Sequence, residues 1–242
     1  MPEEIPEHIR KWTLYGFIER YGNADKAYAG MAKCCIEGFD EKLGVKLSEK
    51  DRKFVCAQYI DWTRSLIKNA ITSLSDIERE QVLITLSYAN SDLADEIENV
   101  VQELKKKYGI EEYIEGDEYK YRLKGVPKYR ADAIFSEYTD KVFNEFVEKL
   151  YDKLGDFFFD VHEAMIRMSK ITGSVPPPIP QKALERYQKR GTPQPQQTAE
   201  APKSQTLPEI IKVANEKLTK YKEELKQEIS KKIDEMLKRS KV

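Results

Sequence analysis

The residues that could do chemistry in this chain are few, and most stand alone. There are two histidines, His8 and His162. His162-Glu163 continues as HEAMI, so Ile166 occupies the place where a zinc-protease helix needs its second histidine. Cys34 and Cys35 are adjacent, whereas metal and redox pairs need two intervening residues to turn both sulfurs to one side. Within AGMAKCCIEGF they read as small residues that let a helix pack closely. With Cys56 the count is three, an odd number that argues against a disulfide framework. Reduced thiols and a cytoplasmic setting follow from that reading. There is no Walker motif, no GxGxxG and no GxSxG, and no carboxylate pair stands out from the solvated faces. The expectation is a non-enzyme with no metal and no cofactor.

The remaining chemistry is that of positive charge. GIEEYIEGDEYKYRLKGVPKYR, residues 109–130, is where the apolar period changes from helical to alternating. Gly116-Asp117 is a two-residue turn signal, which predicts a β-hairpin in which Ile114 faces Tyr119, Glu112 faces Tyr121 and Ile110 faces Leu123. That face is expected to pack on helices. The other face pairs Tyr113 with Lys120 and Glu111 with Arg122, and sets Glu115 against Glu118, a like-charged pair. Lys120, Arg122 and Lys124 then form a solvent-facing row, with Lys105, Lys106 and Lys107 before the hairpin and Lys128 and Arg130 after it. These eight are the expected phosphate contacts of a nucleic-acid partner. The alternative is a hairpin that closes a helical domain and carries a merely solvated basic face.

A helix ending in LKKKYGI and running into a short hairpin resembles the recognition helix and wing of winged helix-turn-helix proteins. The resemblance covers residues 75–125. It implies a groove-reading helix near 92–108 and a wing at 110–124 that touches the nucleic-acid backbone. Residues 90–108 are short for the family's second and third helices with a turn between them. The helix also opens with Asp92, Asp95, Glu96 and Glu98, which repel phosphate.

The elements that must carry these residues are helices. Ile5, Ile9, Trp12, Phe17 and Tyr21 make a stripe that predicts one helix over 5–21, ended by Gly22. Asn23 caps a second that runs to Leu43 before Gly44. Ser48–Asp51 and Ser75–Glu78 are capping patterns opening two more, and a fifth spans about 92–108. Apolar residues from Ile134 to Met168 step by three or four, predicting a long helix over 130–171 with a bend at Gly155. The fold class expected is mainly α, a multi-helix body over 1–172 with one small hairpin.

Eight of the eleven prolines fall in residues 173–208, which reads as a Pro-rich linker over 173–207. Within it, residues 182–190 are taken as spacer, with a basic docking helix as the alternative. From 208 to 242 the helical period returns as a seam of Ile211, Ala214, Leu218, Tyr221, Leu225, Ile229, Ile233 and Met236. It begins as a heptad repeat and then stutters. This tail is expected to associate with a copy of itself, with its own body or with another protein.

The formal net charge of −1 hides an asymmetry: 26 basic and 33 acidic residues over 1–172, against 15 and 9 thereafter. Such a tail favours a polyanion or an acidic surface. Thirty-four per cent charged residues lean toward a heat-adapted source. No apolar run is long enough for a membrane span, so no membrane partner is expected. The leading functional expectation is a nucleic-acid-binding protein, regulatory or architectural, multimerised by its C-terminal helix. The rival is a structural or adaptor subunit of a larger assembly.

Overall fold

The computed structural model describes residues 6–73, 75–172 and 176–190. They form nine helices and two antiparallel strand pairs. The seam from Ile211 to Met236 and most of the linker lie outside the described residues, as does residue Ile5.

The first predicted helix is two: α1 (Glu7–Arg10) and α2 (Leu14–Tyr21). Thr13 breaks them apart. Its hydroxyl donates to the Arg10 carbonyl at 2.7 Å and accepts from the Gly16 N–H at 3.2 Å, the reciprocal use of an N-cap. Gly16 is required there, because a Cβ would run into the Arg10 carbonyl oxygen. α3 (Ala24–Glu37) starts at the expected cap, where the Asn23 side chain accepts from the Lys26 N–H. It stops six residues early, because Gly38 takes φ +70° and closes it. The chain then forms an unforeseen pair, β1 (Phe39–Asp40) with β2 (Val45–Lys46). Asp40 is fully buried in it, held by Arg20 at 3.0 Å and by the Leu43 N–H at 2.9 Å.

α4 (Glu49–Thr72) is the centre of the body. Its capping Ser48 accepts from the Asp51 N–H. Val55, Tyr59, Ile60, Leu66, Ile67 and Ile71 bury it among α3, α5, α6, α7 and α8. One polar chain crosses this core: the Tyr28 hydroxyl donates to Thr63 Oγ1 at 2.9 Å, and Thr63 donates to the Tyr59 carbonyl at 2.7 Å. α5 (Asp76–Ser87) and α6 (Ser91–Tyr108) follow, joined by the three residues Tyr88–Asn90. Ser75 stands at the α5 cap without a side-chain cap bond.

The hairpin is β3 (Ile110–Glu115) and β4 (Glu118–Leu123), in the register expected from its turn. The long final helix is interrupted rather than bent: α7 (Lys128–Leu154) ends at Gly155, φ +57°, and α8 (Phe157–Thr172) begins anew. The stretch read as spacer forms α9 (Gln181–Arg190), which packs on α7 through fully buried Ala183. Lys182 reaches Asp152 at 2.5 Å, and the Gln181 N–H bonds Glu148. His162 Nε2 lies 2.8 Å from the Pro177 carbonyl oxygen, tying this segment to α8.

The expectation of reduced thiols is corrected. Cys35 on α3 and Cys56 on α4 form a disulfide, with Cα atoms 4.7 Å apart. Adjacent residues on a helix point about 100° apart, so Cys35 faces α4 while Cys34 faces Asp40 at 3.7 Å. Burial, with Asp40 adding to it, pushes the Cys34 thiol up to about 12. The bridge removes the ground on which a reducing, cytoplasmic setting was inferred. No helix among the described residues is long and apolar enough to cross a membrane.

Candidate interaction site

The hairpin and the helix ends beneath it hold all eight basic residues singled out from the sequence. Gly109, with φ +70°, releases the chain from α6 into β3. Its carbonyl accepts from the Lys124 N–H, and so closes the base of the hairpin. Leu123 is fully buried there and Ile110 half-buried. Beyond this the expected packing on helices fades: Tyr121 is still half-buried, but the described positions toward the turn are open. Ile114 is 66% exposed and Glu112 is exposed, so the outer half of the hairpin projects as an arm.

The basic row is not free. Arg122 donates from Nε to Glu111 at 2.7 Å, and its guanidinium sits 4.9 Å from the Tyr113 ring centre. Lys120 donates to Glu115 at 2.7 Å, which lowers the Glu115 carboxyl below its ordinary range. Lys105, a quarter exposed, bonds Asp76 on α5 at 2.6 Å. Lys105 and then Arg79 hold the Asp76 carboxyl down to about 2. Lys107 lies over the Tyr108 ring at 5.2 Å. Lys106, Lys124, Lys128 and Arg130 are exposed at the arm's base and form no ion pair among the described residues. Residues 110–123 themselves carry five acids and only two bases, Lys120 and Arg122.

The face of α6 that a groove-reading helix would present is acidic. Asp92, Asp95 and Glu96 line a groove of about 540 Å³ against Lys141, Glu145 and Lys149 of α7. Burial, then the neighbouring Glu145, raises the Glu96 carboxyl, with Lys149 at 2.9 Å opposing. Glu98 turns away to Arg79 at 3.0 Å. A second cleft of about 450 Å³, between α4 and α7, sets Arg64 and Lys68 against Asp132 and Asp140, so its charges offset one another. Among the described residues no group of three or more His, Cys, Asp or Glu side chains is placed to hold a metal ion.

No protein-family model matches the sequence, and neither a curated protein nor a solved structure resembles it significantly. The reading therefore rests on the arm and its surroundings.

Two features escaped the sequence. The Cys35–Cys56 bridge joins residues on different helices, and no spacing rule pairs them. The pairing of Lys120 and Arg122 with carboxylates of β3 was half legible: the register sets Glu111 opposite Arg122, but it sets Glu115 opposite Glu118 rather than Lys120.

Proposed function

We propose that the chain is a non-enzymatic structural or adaptor protein whose projecting arm docks on another polypeptide. The observation that carries this is the state of the arm: its apolar side is left open, with Ile114 66% exposed, while its cations are already matched by its own carboxylates. An exposed β-branched residue on an acidic two-stranded arm suits a partner surface that is apolar with a basic rim. Tyr129, 77% exposed in the first turn of α7, adds a second apolar side chain near the arm's base.

A second reading, nucleic-acid binding, is favoured by one observation: Lys106, Lys124, Lys128 and Arg130 stand exposed at the base of the arm and form no ion pair among the described residues. The order α5, short turn, α6, hairpin also follows the outline of a winged helix. The carboxylates of α6 oppose it, since Asp92, Asp95 and Glu96 would meet phosphates first.

The test is affinity capture from the native host with the full chain and with Ile114→Lys. Loss of one specific polypeptide with the substitution supports the adaptor reading. Capture of nucleic acid by both proteins, abolished by 0.5 M salt and by changing Lys124 and Lys128 to Ala, would replace it with the second.

A further inference from the structure

α5 has two apolar sides. Arg79, Thr85 and Leu86 are buried on the inner one, with Val82 and Leu83 half-buried beside them in the core. On the outer side Ile77 is 73% exposed, Ile84 45% and Tyr88 53%. With exposed Gln81 these residues step by four, three and four, the spacing of a coiled-coil seam. At about 100° per residue the four lie within a narrow stripe opposite Leu86. A helix that is apolar on opposite sides is normally covered on both.

We propose that the outer stripe is an interface with α5 of a second copy of this chain, the two helices packing antiparallel about a two-fold axis. The spacing is palindromic. In such a pair Ile77 meets Tyr88 of the other copy and Gln81 meets Ile84, and each contact is repeated by symmetry, as an isologous interface requires. Charge selects the same orientation. Asp76, Glu78 and Glu80 crowd the first turn and a half, whereas residues 81–90 carry no charge. Parallel pairing would bring both acidic ends together. Antiparallel pairing sets each acidic end beside the neutral half of the other helix. Arg79, the basic residue of α5, is buried between Asp76 and Glu98 and offers nothing to an acidic partner.

Three partly exposed side chains cover much less than the ~800 Å² per partner of a standard interface. The α5 pair is therefore weak on its own.

Sedimentation equilibrium on the full chain and on Ile77→Glu/Ile84→Glu tests it, with circular dichroism as the folding control; both positions are exposed, so the helix content should not change. The expected result is a concentration-dependent rise in mass that the double substitution reduces. Orientation is read by oxidative cross-linking: an equal mixture of Gln81→Cys and Ile84→Cys chains should cross-link several-fold more than either alone. A wild type that stays monomeric, a mass unaffected by the double substitution, or Ile84→Cys cross-linking best with itself each overturns the proposal. Loss of a foreign polypeptide rather than of mass in the double variant overturns it too, and assigns the stripe to that partner.

Discussion

Arg122 on β4 bonds Glu111 on β3 across the hairpin, Nε to Oε1 at 2.7 Å, so the most exposed cation of the arm is occupied by a neighbour one strand away. With Lys120 bonded to Glu115, the arm meets solvent as a set of pairs rather than as a cationic ridge. Exposed pairs of this kind contribute little to stability, typically under about 1 kcal/mol. Their larger consequence is for recognition.

Changing Glu111 to Gln should unmask Arg122. At low salt the variant is expected to bind duplex DNA more tightly than the wild type, and the log–log salt slope should steepen by up to about 0.9 for the cation released. Fluorescence anisotropy over a salt series measures this. An unchanged slope would mean that this carboxylate does not govern what the arm attracts.

The two ends of the hairpin should respond very differently to truncation. Leu123→Ala empties a fully buried site and should cost about 2–5 kcal/mol. Ile114→Ala, at an exposed position, should stay within about 0.5 kcal/mol of wild type. Urea denaturation separates them, and comparable losses would show that the arm packs on the body in solution.

The Cys35–Cys56 bridge closes a loop of 21 residues between α3 and α4. In the chain-entropy description such a cross-link contributes on the order of 3 kcal/mol. A reductant should therefore lower the urea midpoint of the wild type and leave that of Cys35→Ser/Cys56→Ser unmoved. Equal sensitivity of both proteins to reductant would contradict the bridge.

Thr63 satisfies the buried Tyr28 hydroxyl, whose titration burial pushes well above its ordinary range. Thr63→Val should cost about 1–3 kcal/mol, because a buried hydroxyl loses its partner. Adding Tyr28→Phe should recover part of that loss, making the double variant more stable than the sum of the singles. Strict additivity in a thermal double-mutant cycle would deny the coupling.

Asp76 gives the protein a small acid-sensitive step. Its folded value, about 2, lies below the ordinary carboxyl range, held there by Lys105 and then Arg79. A depressed value means that the stabilisation is present above about pH 4 and is lost as pH falls toward 2. The carboxylate is largely exposed, so screening keeps the effect well under about 1 kcal/mol. Asp76→Asn should be slightly less stable than wild type at pH 5, with the gap narrowing as pH falls from about 4 to about 2. A gap that is constant with pH would place the role of Asp76 elsewhere.

Local signals carried most of the fold. The caps at Asn23 and Ser48 and the hairpin turn at Gly116-Asp117 with its register are written in residue types whose backbone preferences act over a few positions, whereas Gly155, expected only to bend one long helix, ends α7. The division of α1 from α2 and the early end of α3 were missed because apolar period continues through them. Thr13 and Gly38 override that period by capping, and the space Gly16 vacates becomes apparent only when the Arg10 carbonyl stands beside it.

What the tertiary structure alone decided is what each side chain faces. Cys35 and Cys56 meet because α3 lies along α4, and Asp76 holds Lys105 because α5 lies beside α6. The alternation of the hairpin told which residues share a side, and it could not tell that the body leaves the outer half of that side open. Period reports which residues lie together on an element. Only packing reports whether anything covers them, because coverage depends on chain segments distant in sequence.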